Sequence, residues 1–300
     1  MDIVVRMRGG LGNQLFQYAY AKKLQHKYNA NKIILDIREY EKYKVRNFEI
    51  GSFRLNNSVV ITKYFKKNYK YECSRYVYYF VSGVLMRFCN QNLDFLFPFL
   101  SKYGLFYTAR KIYDDKLNKS LDTIFLYGFF QDIEGIDDVK VSLINELVRT
   151  DKSNDNFKEM LSNIKNTKNS IAVSVRCGKD YIDYGYGICT AEYYKQGINN
   201  LKSNLKDYHI FVFADEVLRA KKMFFDFKNT TFVEYFDAID QMLLMKECHY
   251  FVISNSSFAW WGSYLSDYSG KIVYVPEFWY PNKKTKTTHL IYPNVRILEL

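Results

Sequence analysis

Ile171-Ala172-Val173-Ser174-Val175-Arg176-Cys177-Gly178-Lys179-Asp180-Tyr181 carries the plan of the chain in miniature. Its first half is a run of apolar and β-branched residues, which reads as a buried strand. An arginine, a glycine and an aspartate follow at once. In an open α/β sheet, ligands bind just past the carboxyl ends of strands. An arginine held there presents a fixed fork of donors that suits a phosphate or diphosphate. The same arginine also reads as half of an ion pair with Asp180 that pins the turn, and the motif alone leaves both readings open.

Downstream the pattern repeats. Helix is expected over Ala191–Leu205, strand over His209–Ala214 stopping at Asp215, helix over Val217–Phe225 and strand over Thr231–Glu234. Helix follows over Asp237–Lys246, then strand over Tyr250–Ile253, ending in Ser254-Asn255-Ser256-Ser257-Phe258 before a helix over Phe258–Ser266. Lys271–Val275 reads as the strand that closes the sheet. Strands alternating with helices imply a parallel, doubly wound sheet.

The amino-terminal half opens in the same way. Strand Ile3–Met7 leads into a glycine-rich loop, Arg8-Gly9-Gly10-Leu11-Gly12-Asn13-Gln14, and helix is expected over Leu15–Lys27. Strand, glycine loop and helix begin a nucleotide-binding βαβ unit. Gly10 and Gly12 match the first two glycines of a dinucleotide fingerprint, but bulky Leu15 takes the third position. Asn13 and Gln14 are polar groups at the helix start that can face a sugar or a phosphate, and Asn13 also reads as a helix cap. A second strand, Ile33–Leu35, ends at Asp36.

Residues 57–120 are less regular. Lys63–Tyr71 interleaves bases with aromatics, a pattern of a nucleic-acid or membrane-surface patch and also of a solvated helix face with its aromatics turned inward. Thr123–Tyr127 reads as a strand, followed by Gly128-Phe129-Phe130-Gln131-Asp132. Polar Asp151–Asn169 contains a short helix and reads as the connection. The expected architecture is α/β: two Rossmann-like domains, 1–152 and 153–300, with parallel sheets facing a cleft.

Composition narrows the class. Of 300 residues, 48% are hydrophobic and 25% charged, as in a globular chain. The net charge of +11 favours anionic partners without choosing among nucleic acid, lipid headgroups and phosphorylated small molecules. The five cysteines are scattered with no C-x-x-C spacing, which argues against a disulfide framework or zinc site and for the cytoplasm. No signal peptide is visible, and the most apolar run, Tyr76–Met86, is too short to span a bilayer. That leaves a soluble protein, or one peripheral to a membrane. There is no Walker loop, serine-hydrolase elbow or H-E-x-x-H, and no D-x-D triplet to hold a divalent metal. Present instead are polar strand ends: Arg176, Asp215 and Ser254–Ser257. Hydroxyls and amides at a helix start suit an anion, and an acidic strand end can read a purine's donors. Capping alone is the plainer reading of the serines.

Several of these stretches resemble one family. Arg8–Ala19 is similar to the amino-terminal signature of the bacterial α-1,2-fucosyltransferases of glycosyltransferase family 11. Gly128-Phe129-Phe130-Gln131 looks like that family's G-Y-x-Q stretch, and Ser254–Gly262 resembles its S-N-S-T-F-S-W-W-G block. The resemblance implies a two-domain GT-B fold, GDP-fucose as donor, inversion at the anomeric carbon and no metal or other cofactor. It implies transfer to a galactose 2-hydroxyl of an oligosaccharide or lipid-linked glycan, as in surface polysaccharide or O-antigen synthesis, with no nucleic-acid partner. The donor would sit in the carboxyl-terminal half, on Arg176, Lys179, Asp215, Ser254, Asn255, Ser256, Ser257 and Phe258. The acceptor or sugar would lie nearer Gly10, Gly12, Asn13, Gln14, Gln131 and Asp132.

The chain departs from the family's H-x-R-R-x-D pattern. Ser174 stands where the histidine would be, Cys177 replaces the second arginine, and Lys179 is inserted before Asp180, where it can restore the charge. Arg176, Asn13 and Asp180 are the residues assigned to catalysis, and Asp132 is a candidate base. A related transferase using another GDP-sugar is the nearest alternative. A nicotinamide-dependent oxidoreductase, resting on Gly10-x-Gly12 and Asp36, and a nucleic-acid-binding protein, resting on charge, are more distant ones.

Overall fold

In each half of the chain the first strand becomes a central strand of its sheet. The computed structural model describes residues 1–42, 45–65, 69–89, 93–108, 117, 120–151, 154–183, 185–280 and 286–299. The chain divides into two units, Met1–Thr150 and Asp151–Leu300.

In the first unit, strands β1 (Asp2–Arg6), β2 (Lys32–Asp36), β3 (Val59–Thr62), β4 (Leu105–Thr108) and β5 (Thr123–Gly128) form one sheet in the order β3-β2-β1-β5-β4. Every pairing is parallel. The helices are α1 (Leu11–Tyr28), α2 (Glu39–Lys42), α3 (Tyr69–Cys89), α4 (Phe97–Leu100) and α5 (Lys140–Glu146). On one side of this unit Val4, Tyr71, Tyr78, Tyr107, Phe125 and Tyr127 form an aromatic core, with Tyr71 stacked on Phe125 at 4.4 Å.

The second unit opens with α6 (Asp155–Asn166), which Asn154 caps through its side chain. Then come β6 (Asn169–Val175), α7 (Lys179–Asp183), α8 (Ala191–Lys202), β7 (Tyr208–Ala214), α9 (Val217–Met223) and β8 (Thr230–Phe232). The chain returns through α10 (Ala238–Met245), β9 (Tyr250–Ile253), α11 (Ser257–Tyr264), β10 (Val273–Pro276) and β11 (Val295–Leu298). The order is β11-β10-β9-β6-β7-β8, again all parallel. A parallel sheet covered on both faces needs continuous apolar strands, and β9 is buried throughout.

The α/β reading therefore holds in both halves, with differences at the margins. Three strands were not read from the sequence: β3, β4 and β11, each four residues long. β11, not β10, closes the second sheet. Helix α1 starts at Leu11 rather than Leu15, because extended Gly10 serves as its cap, so Asn13 and Gln14 lie in its first turn. In the Lys63–Tyr71 run the aromatics divide: Tyr71 is buried, whereas Tyr64 and Tyr69 are exposed.

Gly197 sets the distance between α8 and the sheet. A Cβ there would lie 2.6 Å from Val252 Cγ1, 3.1 Å from its Cγ2 and 3.2 Å from Leu298 Cδ1, and a β-branched valine is stiff at χ1. Overpacking costs about 1–3 kcal/mol, against the ~1 kcal/mol that alanine gains over glycine in a helix. Gly197→Ala is expected to destabilise the second unit by a net of about 1 kcal/mol. Urea unfolding followed by tryptophan fluorescence tests this, since Trp260, Trp261 and Trp279 all lie in that unit. An unchanged or higher midpoint would contradict it.

Candidate active site

In the second unit β6 is followed outward by β7 and β8, and only then does the chain return to β9 on the other side of β6. The loops leaving β6 and β9 therefore diverge. This is the topological switch point at which open parallel sheets bind ligands. Arg176 directly follows β6, and Ser254 directly follows β9.

Arg176 is gripped from two sides. Its Nη1 donates to Asp215 Oδ2 at 2.7 Å, with each side chain 20% exposed. Its guanidinium lies 4.6 Å from the centre of the Tyr181 ring. Tyr181 in turn donates its hydroxyl to the Asn255 carbonyl at 2.8 Å, tying the β6 loop to the β9 loop. Asp215 Oδ1 accepts the amides of Cys177 (2.8 Å) and Gly178 (3.0 Å). The pinning partner suggested by the sequence was Asp180, whose side chain lies outside the described residues; the structure shows Asp215 in that role. With one oxygen filled by two turn amides and the other on Arg176, Asp215 is a clamp for the arginine loop rather than an open acceptor for a purine.

The serine-rich loop also divides. Ser254 is fully buried, and its Oγ and the buried Tyr194 Oη lack a well-formed hydrogen bond. Asn255 is buried as well; its Nδ2 donates to the carbonyls of Tyr186 (3.2 Å) and Trp279 (3.1 Å). Its side chain is an internal tie, not a ligand contact. Ser256 is the residue before α11 but makes no side-chain cap, so capping alone does not account for it. Ser257 and Phe258 are half-buried in the first turn, where helical amides have no partner four residues back. Lys179 is exposed at the start of α7. Burial first, then Asp215, pushes the Cys177 thiol up to about 11, and burial pushes Cys189 up to about 12, so neither is a thiolate nucleophile at neutral pH. Among the described residues, no group of three or more His, Cys, Asp or Glu is placed to share a metal ion.

The first unit has its own switch point, between β1 and β5. The glycine loop after β1 is laced down: Gln17 both donates to the Arg8 carbonyl (2.9 Å) and accepts its amide (3.1 Å), and Tyr40 donates to the Gly9 carbonyl (2.6 Å). Gly9 has φ +78, and a Cβ there would lie 2.6 Å from Asn13 Nδ2, so only glycine fits. Across the switch, Gln131 Nε2 donates to Asn13 Oδ1 at 2.7 Å. Phe130, buried and stacked on Tyr20, holds a left-handed φ of +51 just before Gln131. Such strain persists where the surroundings fix it, and it clusters at functional sites. Asn13 and Gln131 are thus brought together, half-buried Gly10 adjoins them in the loop, and buried Gly12 belongs to the helix.

Two expected contacts fall away here. Gln14 is fully buried; its Nε2 donates to the carbonyls of Gly9 (2.9 Å) and Asn47 (2.8 Å), and its Oε1 accepts the amides of Glu49 (2.9 Å) and Ile50 (3.0 Å). An amide side chain has no capacity beyond those four bonds to spend on a sugar. Asp132 is buried and caps the turn at Glu134 (3.1 Å), which is poor placement for a base.

The sequence reading passed over an ionic lattice at the same sheet end. Asp36 is wholly buried and accepts from Arg6 Nε (2.8 Å) and Arg38 Nη2 (2.7 Å). Glu72 of α3 bonds Arg6, Arg38 (3.2 Å) and Arg75 (2.9 Å). Burial works to raise the Glu72 carboxyl, but Arg75 and Arg6 outweigh it and hold it below its usual range. Arg8 donates to Tyr127 Oη at 3.0 Å. The lattice removes the dinucleotide reading: Asp36 is not open to a ribose, and the amide of Leu11 at the α1 start donates to the chain's own Glu49 carboxylate (3.2 Å) where a pyrophosphate would bind.

Two parallel α/β sheets, with an arginine and a helix start flanking one switch point, make a GT-B-like fold. The sequence model of glycosyl transferase family 11 matches residues 2–294, and the chain belongs to that family. It is similar to an alpha-1,2-colitosyltransferase of Escherichia coli, 30% identical over 299 residues that cover 94% of this chain and 93% of that one. It is 28% identical over 310 residues to the E. coli O-antigen biosynthesis glycosyltransferase WbnK, covering 94% of this chain and 96% of that one. Among solved structures, NodZ alpha-1,6-fucosyltransferase co-crystallized with GDP superposes with a TM-score of 0.54 over 88% of this chain and 92% of that one, at 14% identity. The fucosyltransferase NodZ from Bradyrhizobium gives 0.53 over the same shares. At that identity the likeness is one of fold. Membership in family 11 takes the place of the oxidoreductase and nucleic-acid readings.

Asp215→Ala should free the Cys177 and Gly178 amides and release Arg176 together. It is expected to weaken inorganic pyrophosphate and GDP by similar factors in calorimetry. Loss of GDP alone, with pyrophosphate unaffected, would return Asp215 to reading the base.

Proposed function

We propose that the protein is an inverting, metal-independent transferase that moves L-fucose from GDP-fucose to a galactose 2-hydroxyl, forming an α-1,2 linkage in a bacterial surface polysaccharide such as an O-antigen. The observation that carries the proposal is Arg176, clamped by Asp215 and stacked on Tyr181 beside the start of α11, in a family 11 chain. The donor's diphosphate lies at the β6/β9 switch, with Lys179 supplying added positive charge nearby. The acceptor, a galactose-containing oligosaccharide or lipid-linked glycan, lies against the first unit, with Asn13 and Gln131 orienting it. Cytoplasmic synthesis agrees with free Cys73, Cys177, Cys189 and Cys248.

In the single displacement the acceptor oxygen attacks the anomeric carbon from the face opposite the diphosphate. The carbon–oxygen bond to the β-phosphate breaks as the new one forms, and the acceptor proton passes to a base or to water. Negative charge grows on the leaving phosphate. Arg176 and the first-turn amides of α11 meet that charge most strongly in the transition state, which is where binding accelerates a reaction. Because the sugar becomes oxocarbenium-like, the attacking hydroxyl needs little activation, and buried Asp132 is not required as a strong base.

A second reading has a specific support. The colitosyltransferase relative suggests that the GDP-sugar used here carries colitose in place of fucose. The ratio of kcat/KM for the two donors separates the readings.

Lysine at position 176 keeps the charge but loses the planar fork. Arg176→Lys is expected to lose about 10²–10³ in kcat, with the fold intact. Turnover should persist in excess chelator. Folded Arg176→Ala with near-normal kcat, or turnover abolished by chelator, would contradict the proposal.

A further inference from the structure

Helix α3 is apolar on both sides. Its inward side is accounted for: Tyr71, Tyr78, Tyr79 and Leu85 pack against the aromatic core of the first unit, and Glu72 joins the ionic lattice. Its outward side is not. Tyr69, Tyr76, Val77, Phe80, Val84 and Phe88 are exposed, with Phe80 at 74% and Phe88 at 77%. Their spacing of three, four and seven or eight places them on one face. Three further rings, Phe95, Phe99 and Tyr103, are exposed in the segment that follows. Soluble monomers rarely leave so continuous an apolar stripe in water.

The charges around the stripe select its occupant. Lys70 and Arg87 are exposed on the same face near its two ends, and Lys63 and Lys102 are exposed in the adjoining segments. The only acid in the helix, Glu72, is turned inward onto three arginines. The whole chain carries +11. A second copy set face to face would bring like-charged rims together. An anionic headgroup layer complements the rim while its acyl boundary takes the rings, which is the arrangement of a helix lying in a membrane interface. No helix of the described residues is long and apolar enough to cross a membrane.

We propose that the outward face of α3 docks the protein on an anionic lipid surface. The docking brings the first unit to the bilayer. The same helix braces that unit's site from within, since Glu72 bonds Arg6, Arg38 and Arg75, and Tyr79 donates to the Tyr127 carbonyl at 2.9 Å. An acceptor carried on a lipid would then be met at the membrane. The lipid contact stands independently of the donor sugar's identity.

Sedimentation of the full chain with phosphatidylcholine vesicles, with and without phosphatidylglycerol, tests the proposal. The parent protein is expected to pellet with the anionic vesicles and to be released by salt. One buried phenylalanine ring is worth about tenfold or more in partitioning, so Phe80→Ser combined with Phe88→Ser should weaken binding by well over tenfold. Both side chains are exposed, so the far-ultraviolet circular dichroism spectrum and the urea midpoint it reports for the full chain should be unchanged. Lys70→Gln with Arg87→Gln should weaken binding to anionic vesicles alone. Failure of the parent protein to bind anionic vesicles, or equal binding with and without phosphatidylglycerol, would overturn the proposal. So would a dimer in sedimentation velocity that Phe80→Ser dissociates, because that would identify a second copy as the occupant.

Discussion

A parallel sheet that begins with its central strand must send the chain outward twice, once to each side, and the loops on either side of the starting strand then part. Both halves of this protein obey that constraint, starting with β1 and β6. The parting places backbone amides and short polar side chains of two diverging loops at the carboxyl end of the sheet. In the second unit the opening is flanked by Arg176 and the start of α11. In the first it is flanked by the glycine loop and the Phe130–Asp132 turn. The chemistry available to each unit follows from what the fold has already used there.

That use is extensive. Gln14, Asn255 and Asp215 are polar, adjacent to a switch point and committed to internal bonds. Each immobilises a neighbouring segment: Gln14 the glycine loop, Asn255 the segments bearing Tyr186 and Trp279, Asp215 the turn that follows Arg176. A preorganised arginine loses little on meeting a developing charge, and the supporting residues supply that preorganisation. The first unit fills its helix start with Glu49 and its strand end with Asp36, which leaves the second unit's switch point as the place proposed for the anion.

Much of this was legible in the sequence, for reasons that also explain the gaps. The strands buried on both faces, such as Ile171–Val175 and Tyr250–Ile253, announce themselves as apolar runs. Edge strands β3, β4 and β11 are only four residues long and lie in irregular or terminal stretches, so their short runs do not stand out as strands. Residue type picked out Arg176 and the Asn13–Gln131 pair. It could not separate Gln14 from Asn13, because the difference is whether nearby amides and carbonyls already claim the side chain. Tyr181, Gln17 and Glu72 carry no motif, and their roles depend on contacts distant in sequence. The Lys63–Tyr71 run reads both as a surface patch and as a helix face with its aromatics turned inward, because composition does not say which side of a helix is covered.

The central claim is that the nucleotide diphosphate belongs to the second unit's switch point and not to the glycine loop of the first. Amide hydrogen exchange with and without GDP tests it most directly. The account predicts slowed exchange in residues 176–181 and 254–262, with residues 8–14 unchanged. Slowed exchange confined to residues 8–14 would contradict it.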